Sequence, residues 1–104
     1  MTPVIVLTTT AADFDAAALA RDLVEARLCA CVNIVAGVKS IYRWEGRVVD
    51  DGEQLLVIKT TRERVDALRE ALFARHPYEV PEFVVVRIDE IGEKYGAWVA
   101  ASVV

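Results

Sequence analysis

The sequence is poor in the side chains from which most catalytic and metal sites are built. Its 104 residues include one histidine, His76, and two cysteines, Cys29 and Cys31. A nucleophilic Cys31–His76 pair would also need a base and a group to orient it, and the sequence places neither. The five glycines are scattered, and none stands in the spacing of a phosphate-binding loop. We therefore expect a protein that is not an enzyme.

An excess of basic residues and long apolar runs are also missing. The formal net charge is −4 at pH 7, so the chain lacks the positive surface on which nucleic-acid binding depends. No apolar run approaches the roughly 18 residues that a membrane span needs. The first residues show neither the basic nor the apolar segment of a signal peptide. These absences predict a cytoplasmic protein without nucleic-acid or membrane partners.

Cys29 and Cys31 are separated by a single residue. This spacing is too short for a sound structural disulfide, and it differs from the Cys-x-x-Cys of a redox site. The pair lies in an apolar segment, and the two side chains share one face if that segment is a strand. We interpret both cysteines as small buried residues; thiolate ligation of a soft metal is the alternative.

Apolar residues are more abundant than one small subunit can bury. They make up 55% of the sequence, yet a chain of this length buries only about 65% of the surface that its unfolded form exposes. A single domain over residues 1–104 is expected from the length. Its excess apolar surface predicts an obligate oligomer.

The apolar runs are bounded by recognisable stop signals, and their order predicts the fold. The predicted elements are a strand from Pro3 to Thr8, a helix capped by Asp13, a strand from Ala30 to Trp44, a strand ending at Thr60, a helix capped by Thr61 and ending at His76, a strand from Phe83 to Ile88 and a helix from Gly92 to Val99. The order β-α-β-β-α-β with an extra C-terminal helix is typical of the ferredoxin-like α+β fold. Right-handed crossovers place both main helices on one face of a four-stranded antiparallel sheet. The apolar side chains of the other face then require another subunit.

The second and third strands are predicted to form a long hairpin. Asp51-Gly52 is the stronger turn dipeptide by its chemistry, whereas Glu45-Gly46 gives the longer and more symmetrical hairpin. We favour Glu45-Gly46, which brings Trp44 opposite Arg47 and leaves an irregular acidic stretch around Asp51-Gly52. Gly37 interrupts the alternation of the first arm and predicts a bulge there.

The segment from His76 to Glu82 combines the only histidine with two prolines, a tyrosine and two carboxylates. Proline fixes its own φ and disfavours helical backbone in the residue before it, so the preceding helix must end here. A stiff corner that presents imidazole, phenol and carboxylates suits ligand binding, metal binding or a subunit contact. An ordinary helix-to-strand loop is the alternative.

Four segments, in the same order along nearly the whole chain, resemble the CutA family of divalent-cation tolerance proteins. They are Ala30-Cys31-Val32-Asn33, the run from Ser40 to Gly46, Ile58-Lys59-Thr60, and the run from His76 to Glu82. The resemblance implies a ferredoxin-like subunit in a homotrimer similar to the PII-type signalling proteins, with strands shared across subunit edges. It implies a link to divalent metals, chiefly copper, and no established reaction or cofactor.

The resemblance also bears on a copper site. In some relatives a proposed site uses a cysteine near the end of the first strand and two adjacent histidines before the proline, and here these positions are Thr8 and Arg75-His76. His76 is the only metal ligand that remains, and the Arg75 guanidinium repels a cation. We therefore expect at most weak, histidine-dependent binding of Cu²⁺.

Three functions remain open: a metal-binding or metal-responsive trimer, a PII-like sensor with a ligand cleft between subunits, and a structural trimer. The candidate ligand-binding residues are Cys31, Asn33, Trp44, Lys59, Tyr78, Glu79 and Glu82. Trp44 and Tyr78 serve either as ligand-stacking rings or as interface anchors. Lys59 contacts the ligand in a sensor and pairs with Glu79 or Glu82 in a scaffold. Asn33 is interpreted as a partner for buried backbone groups.

Overall fold

Seven main elements follow one another in the computed structural model, which describes residues 1–104. They are β1 (Pro3–Ala11), α1 (Ala16–Glu25), β2 (Cys31–Trp44), β3 (Arg47–Thr61), α2 (Val65–Arg75), β4 (Val84–Arg87) and α3 (Glu93–Ser102), with a 3₁₀ helix at Arg62–Arg64. The strands form one antiparallel sheet in the order β2-β3-β1-β4. This arrangement is ferredoxin-like with an added C-terminal helix, and it confirms the predicted fold class.

Helix α1 begins later than predicted. Its N-cap is Asp15 rather than Asp13, and the Asp15 side chain accepts a hydrogen bond from the Ala18 N–H at 3.1 Å. The cause lies in β1, which pairs with β3 as far as Ala11 and so extends beyond its predicted end at Thr8. Pairing with a strand that is distant in the sequence therefore moved this boundary.

Helix α2 differs from the prediction at its start and agrees with it at its end. Thr61 pairs with Pro3 at the end of β3, its side chain makes no capping hydrogen bond, and the 3₁₀ helix separates it from α2. At the other end, the His76 N–H donates to the Leu72 carbonyl at 2.9 Å, and the His76 backbone is extended. The predicted helix end before Pro77 is confirmed, because proline disfavours a helical residue before it.

The last two elements are displaced by one to three residues. Only Val84–Arg87 pair with β1, so β4 is one residue shorter at each end than the predicted strand Phe83–Ile88. Helix α3 follows its N-cap Gly92 and continues beyond the predicted Val99 to Ser102. No helix of the structure is long and apolar enough to cross a membrane.

The hydrophobic core lies between the sheet and helices α1 and α2. Alternate residues of β1 and β3 enter it, and Val6, Leu56 and Ile58 are fully buried against leucines of both helices. In α2 the buried stripe is formed by Val65, Leu68 and Leu72. This side of the sheet completes its burial within one chain.

The opposite side of the sheet, here called the open face, is also apolar. Strand register places on it Ile5, Leu7, Val35, Leu55, Val57, Val84 and Val86. Each is half-buried or exposed in the single subunit, and Val84 retains 46% of its accessible surface. A continuous row of half-buried and exposed apolar side chains is unusual for a surface that faces only water.

The two cysteines lie on different sides of the sheet. Strand β2 begins at Cys31, one residue after the predicted Ala30, so Cys29 precedes the strand. Cys29 is fully buried in the core, whereas Cys31 stands opposite Lys59 on the open face and is only half-buried. The condition for a shared face is therefore not met, because side-chain alternation holds only within a strand and Cys29 lies outside it.

The β2–β3 hairpin has the predicted turn and the predicted bulge. Glu45 and Gly46 both have positive φ, as the tight two-residue turns of hairpins require. The register shifts between Val35 and Val38 around Gly37, whose φ is +76°. The expected irregularity around Asp51-Gly52 is wrong, since both residues pair regularly with β2. The irregularity of the hairpin lies instead in β2, at the bulge around Gly37.

The bulge also determines on which face of the sheet the side chains of β2 lie. One extra residue in β2 reverses its alternation, so Tyr42 and Trp44 lie on the same face as Cys31 and Asn33. The hairpin makes the subunit long, with extents of 44 × 26 × 23 Å. Its radius of gyration is 14.3 Å, against about 13 Å for a compact chain of this size. The hairpin therefore projects beyond the helix-covered core.

Candidate functional site

A cleft of about 640 Å³ lies along the hairpin, between its strands and residues 77–82. We call it the hairpin cleft. Its lining residues come from three strands and the loop after α2, and they are Thr9, Ser40, Tyr42, Arg43, Trp44, Asp51, Glu53, Pro77, Tyr78, Glu79, Val80 and Glu82. Aromatic rings and carboxylates dominate this lining.

His76 holds the loop against the sheet. The residue is 9% exposed, its Nε2 lies 2.8 Å from the Thr9 carbonyl oxygen, and its Nδ1 accepts a hydrogen bond from the Tyr78 N–H at 3.1 Å. Because Nδ1 is the acceptor, Nε2 carries the proton that is donated to Thr9. The neutral imidazole thus fixes the entry to the loop and the position of Tyr78.

Tyr78 forms the floor of the cleft together with a buried carboxylate. The Tyr78 hydroxyl donates to Glu53 Oε2 at 2.6 Å, and Glu53 is only 6% exposed. Burial, and then the hydrogen bond to this carboxylate, raise the pKa of Tyr78 well above its ordinary value. Tyr78 is therefore a neutral donor over the whole physiological pH range.

A second phenol–carboxylate pair lies on the hairpin. The Tyr42 hydroxyl donates to Asp51 Oδ2. This hydrogen bond is the main reason that the pKa of Tyr42 is raised, and the charges of Asp51 and Glu53 add to it. Both tyrosines of the cleft thus stand in a field of negative charge.

The carboxylates of the cleft have no cationic partners within the subunit. Asp51, Glu53, Glu79 and Glu82 form none of the ion pairs in the structure, which join Lys39 to Asp50, Arg69 to Asp66 and Arg75 to Asp22. Arg43 is the one cation of the lining, and its Nη1 donates to the Gly46 carbonyl at 3.4 Å. The cleft therefore carries an excess of negative charge.

The structure divides the predicted ligand-binding residues into two groups. Four of them line the cleft: Trp44, Tyr78, Glu79 and Glu82. The other three lie near the start of β2, where Lys59 Nζ donates to Asn33 Oδ1 and Cys31 Sγ lies 3.9 Å from the same oxygen. Lys59 thus pairs with Asn33 rather than with a glutamate of the loop. Asn33 is exposed and bonds side chains, so its interpretation as a partner for buried backbone is wrong.

Sequence reasoning selected four of the twelve lining residues and missed, among the others, Tyr42, Asp51 and Glu53. Asp51 and Glu53 stand two residues apart in β3, and this spacing is the signal that places them on one face. Unbroken alternation along β3 places them on the open face with Leu55, and the bulge in β2 brings Tyr42 to that same face. From the sequence alone, Glu53 would also be assigned to the surface, whereas in the structure the loop from His76 covers it.

The site holds no preformed metal centre. No group of three or more His, Cys, Asp or Glu side chains lies close enough to hold a metal ion. Both nitrogens of His76 are engaged, so a metal ion at this residue would have to displace one of its hydrogen bonds. Arg75 is paired with Asp22, which offsets much of the repulsion expected from its charge.

Comparison with known proteins places the chain in a family. The model of the CutA1 divalent ion tolerance protein matches residues 4–102. The chain belongs to this family. It is 49% identical over 94 residues to the divalent-cation tolerance protein CutA of Thermus thermophilus, a match that covers 90% of this chain and 91% of the relative. The chloroplastic CutA protein of Arabidopsis thaliana is 44% identical over 84 residues, and this chain covers 46% of its length.

Solved structures of CutA proteins share the fold. The Thermus thermophilus protein superposes with a TM-score of 0.93 at 45% identity, covering 98% of this chain and 99% of that one. The Oryza sativa CutA1 structure has a TM-score of 0.95 at 38% identity, covering 100% and 95%. A protein from Nostoc described as PII-like CutA in apo form has a TM-score of 0.89 at 34% identity, covering 97% of each chain. The family resemblance found in the sequence is confirmed.

Proposed function

We propose that this CutA-family protein is a non-enzymatic homotrimer that binds a metal ion or a small ligand in the hairpin cleft. The observation that carries the proposal is the lining of the cleft, which combines aromatic rings with unpaired carboxylates. The lining contains no cysteine and no serine–histidine pair that could act as a nucleophile and base. Such a surface is suited to binding and orienting a molecule.

Assembly is supported by apolar surface on both sides of the hairpin. Ile41 and Val48 are 67% and 65% exposed on one side, and Tyr42 and Trp44 are 40% and 41% exposed on the other. A two-stranded hairpin by itself is only marginally stable in water. Contacts with neighbouring subunits would stabilise it, and they would also cover the valines of the open face. The number three follows from the family resemblance.

Sedimentation at micromolar concentration tests the assembly. One species near three times the subunit mass of 11.5 kDa is expected. Thermal unfolding should depend on protein concentration, because subunits joined through the open face have little stability alone. A stable monomer with concentration-independent unfolding would contradict the proposal.

A PII-like sensor of small molecules is the second candidate, and the size of the cleft favours it. About 640 Å³ is far more than one ion needs and lies within the range of about 300–1,000 Å³ that is usual for small-molecule sites. Native mass spectrometry of the purified protein measures the subunit count and the bound mass together. A bound organic mass supports the sensor, a metal mass supports the metal site, and an empty trimer supports a structural role.

The cytoplasmic location remains part of the proposal. Two thiols without a disulfide, Cys29 and Cys31, suit a reducing compartment. Relatives carry other locations in their names, chloroplastic in Arabidopsis thaliana and periplasmic in Archaeoglobus fulgidus. Cell fractionation with an antibody against the protein distinguishes the compartments.

A further inference from the structure

Two carboxylates of the hairpin cleft lack a counter-charge within the subunit. Glu79 and Glu82 lie in the loop between α2 and β4, and both side chains are exposed. Neither forms an ion pair, whereas the other two carboxylates of the lining, Asp51 and Glu53, accept hydrogen bonds from tyrosines. We call Glu79 and Glu82 the acidic rim; they are the carboxylates of the lining that the subunit leaves without a partner.

Assembly would take the acidic rim out of water. The cleft lies along the open face, since Tyr42, Trp44 and Asp51 of its lining belong to that face by strand register. The proposed trimer covers this face with neighbouring copies. A carboxylate that is buried in an interface without a cation or a hydrogen-bond donor is strongly destabilising. The surface that covers the cleft must therefore bring positive charge to the acidic rim.

The chain itself contains a cation that is suited to this role. Of its twelve lysine and arginine residues, those that donate to a group of their own subunit are Arg27, Lys39, Arg43, Lys59, Arg64, Arg69 and Arg75. The others are Arg21, Arg47, Arg62, Arg87 and Lys94. Of these, Arg47 and Arg87 lie in strands. Arg87 follows Val86 and so lies on the other face, whereas Arg47 stands opposite Trp44 on the open face.

Arg47 lies at the tip of the hairpin and forms no ion pair within its own subunit. The nearest carboxylate on the same strand and face is Asp51, which is about 13 Å away in extended backbone. This distance exceeds the combined reach of the two side chains. The tip also projects beyond the helix-covered core of the subunit, whose longest extent is 44 Å. Arg47 is therefore presented to a neighbouring molecule.

The surroundings of Arg47 and of the acidic rim are also complementary. Trp44, opposite Arg47, is 41% exposed, and Val80, between the two glutamates of the rim, is 66% exposed. Contact between apolar side chains excludes water from a neighbouring ion pair, and the exclusion of water strengthens the attraction between the charges. The hairpin tip and the acidic rim thus match in charge and in apolar character.

Two copies of the chain can compensate each other's charges at these positions. We infer that Arg47 of one copy binds the acidic rim of the next copy, so that each hairpin tip closes over the neighbouring hairpin cleft. The planar guanidinium group suits this role, because it binds carboxylates through paired hydrogen bonds and packs against aromatic rings. Each copy offers one tip and one rim, and such head-to-tail contacts can close into a ring. This inference rests on the trimer of the proposed function and deepens it by naming the side chains that join two copies at the cleft.

Exchange of subunits between trimers tests the inference, because changes in an interface act mainly on its dissociation rate. Unlabelled and nitrogen-15-labelled proteins are mixed, and native mass spectrometry follows the formation of trimers of mixed mass. Arg47→Glu places like charges together at each contact, and exchange should become at least about tenfold faster. Reversal of the rim by Glu79→Arg with Glu82→Arg should accelerate exchange to a similar degree. All three residues are exposed, so the variants should fold.

A combined variant distinguishes a specific contact from a general effect of charge. Arg47→Glu together with Glu79→Arg and Glu82→Arg restores opposite charges at every contact, so its exchange rate should return to within about threefold of the wild type. Arg21→Glu is the matched control. Arg21 is exposed on α1, and its replacement changes the net charge by the same amount as Arg47→Glu. Its exchange rate should equal that of the wild type.

The results separate the contact between tip and rim from the proposed trimer. If the wild type is a trimer and Arg47→Glu exchanges no faster than Arg21→Glu, the inference is overturned and the trimer stands. A combined variant that exchanges as fast as Arg47→Glu also overturns the inference. A wild-type dimer with the expected rescue overturns the number three and supports the contact. A stable wild-type monomer overturns both.

Discussion

The two faces of the sheet are made by the same strands but reach different degrees of burial. Val6, Leu56 and Ile58 on the helix-covered face are fully buried, whereas Val84 and Val86 on the open face are 46% and 40% exposed. Both faces carry valine, leucine and isoleucine. The difference teaches that one chain of this length buries one face under its own helices and leaves the other open, which is the face that the proposed assembly would cover.

The largest effect is expected from a cavity on the helix-covered face. Leu68→Ala removes a fully buried side chain of α2, so the free energy of unfolding should fall by about 2–5 kcal/mol. Urea denaturation of both proteins at one concentration measures the change. Val104→Ala is the control, because Val104 is 69% exposed at the C-terminus and its loss should stay within about 0.5 kcal/mol. Equal losses at the two sites would contradict the asymmetry of burial.

The next effect concerns assembly through the hairpin. Trp44→Ala should weaken the trimer by about 2 kcal/mol or more, as expected for a large aromatic anchor in an interface. Sedimentation over a concentration series measures it, and Arg21→Ala on the exposed side of α1 should leave assembly unchanged. An intact Trp44→Ala trimer that has lost its ligand would assign the ring to the cleft instead.

The two cysteines, which lie within three residues of the chain, allow the helix-covered side and the open face to be compared by their chemical reactivity. Burial raises the pKa of the Cys29 thiol to about 12, while Cys31 on the open face is half-buried. Iodoacetamide at pH 8 should therefore modify Cys31 first in the native protein, and both thiols in the unfolded chain. Peptide mass spectrometry identifies the site. Faster modification of Cys29 would contradict its place in the core.

The same thiol predicts a loss of stability at high pH. Because the pKa of Cys29 is raised in the folded protein, the unfolded chain loses this proton first. The contribution of the Cys29 thiol to the free energy of unfolding is complete below about pH 9 and is lost as the pH rises from 9 towards 12. In Cys29→Ala the free energy of unfolding should decline less steeply in this window, with Cys31→Ala as the control. If the free energy of unfolding declined equally in the wild type and both variants, Cys29 would not be the cause of the lost stability.

The smallest effect is expected for the binding of Cu²⁺ at His76, where the chain passes from helix α2 towards the open face. His76 has both ring nitrogens engaged and no neighbouring ligands, so Cu²⁺ should bind weakly and be removed by ordinary buffers. Calorimetric titration of the wild type and His76→Ala measures this, with Asp89→Asn as the control. Sub-micromolar affinity for one ion per subunit, lost only in His76→Ala, would establish a metal site.

Local signals predicted the features that depend on a few neighbouring residues. The end of α2 at His76 follows from Pro77, and the turn at Glu45-Gly46 and the bulge at Gly37 follow from backbone preferences of glycine and its neighbours. The spacing of Leu68 and Leu72 is that of a helix with one apolar face, and both residues are buried. These signals were sufficient for the order of elements and for the fold class.

The pairing of distant strands decided the rest. Register with β3 extended β1 to Ala11, and the bulge in β2 turned Tyr42 and Trp44 towards the cleft. Glu53 became a buried member of the site only because a loop more than twenty residues away covers it through Tyr78. The sequence alone determined the elements, their order and the family, since these follow from local backbone preferences and apolar periodicity. Only the tertiary structure decided the cleft, because its charges and rings meet through contacts between residues far apart in the chain.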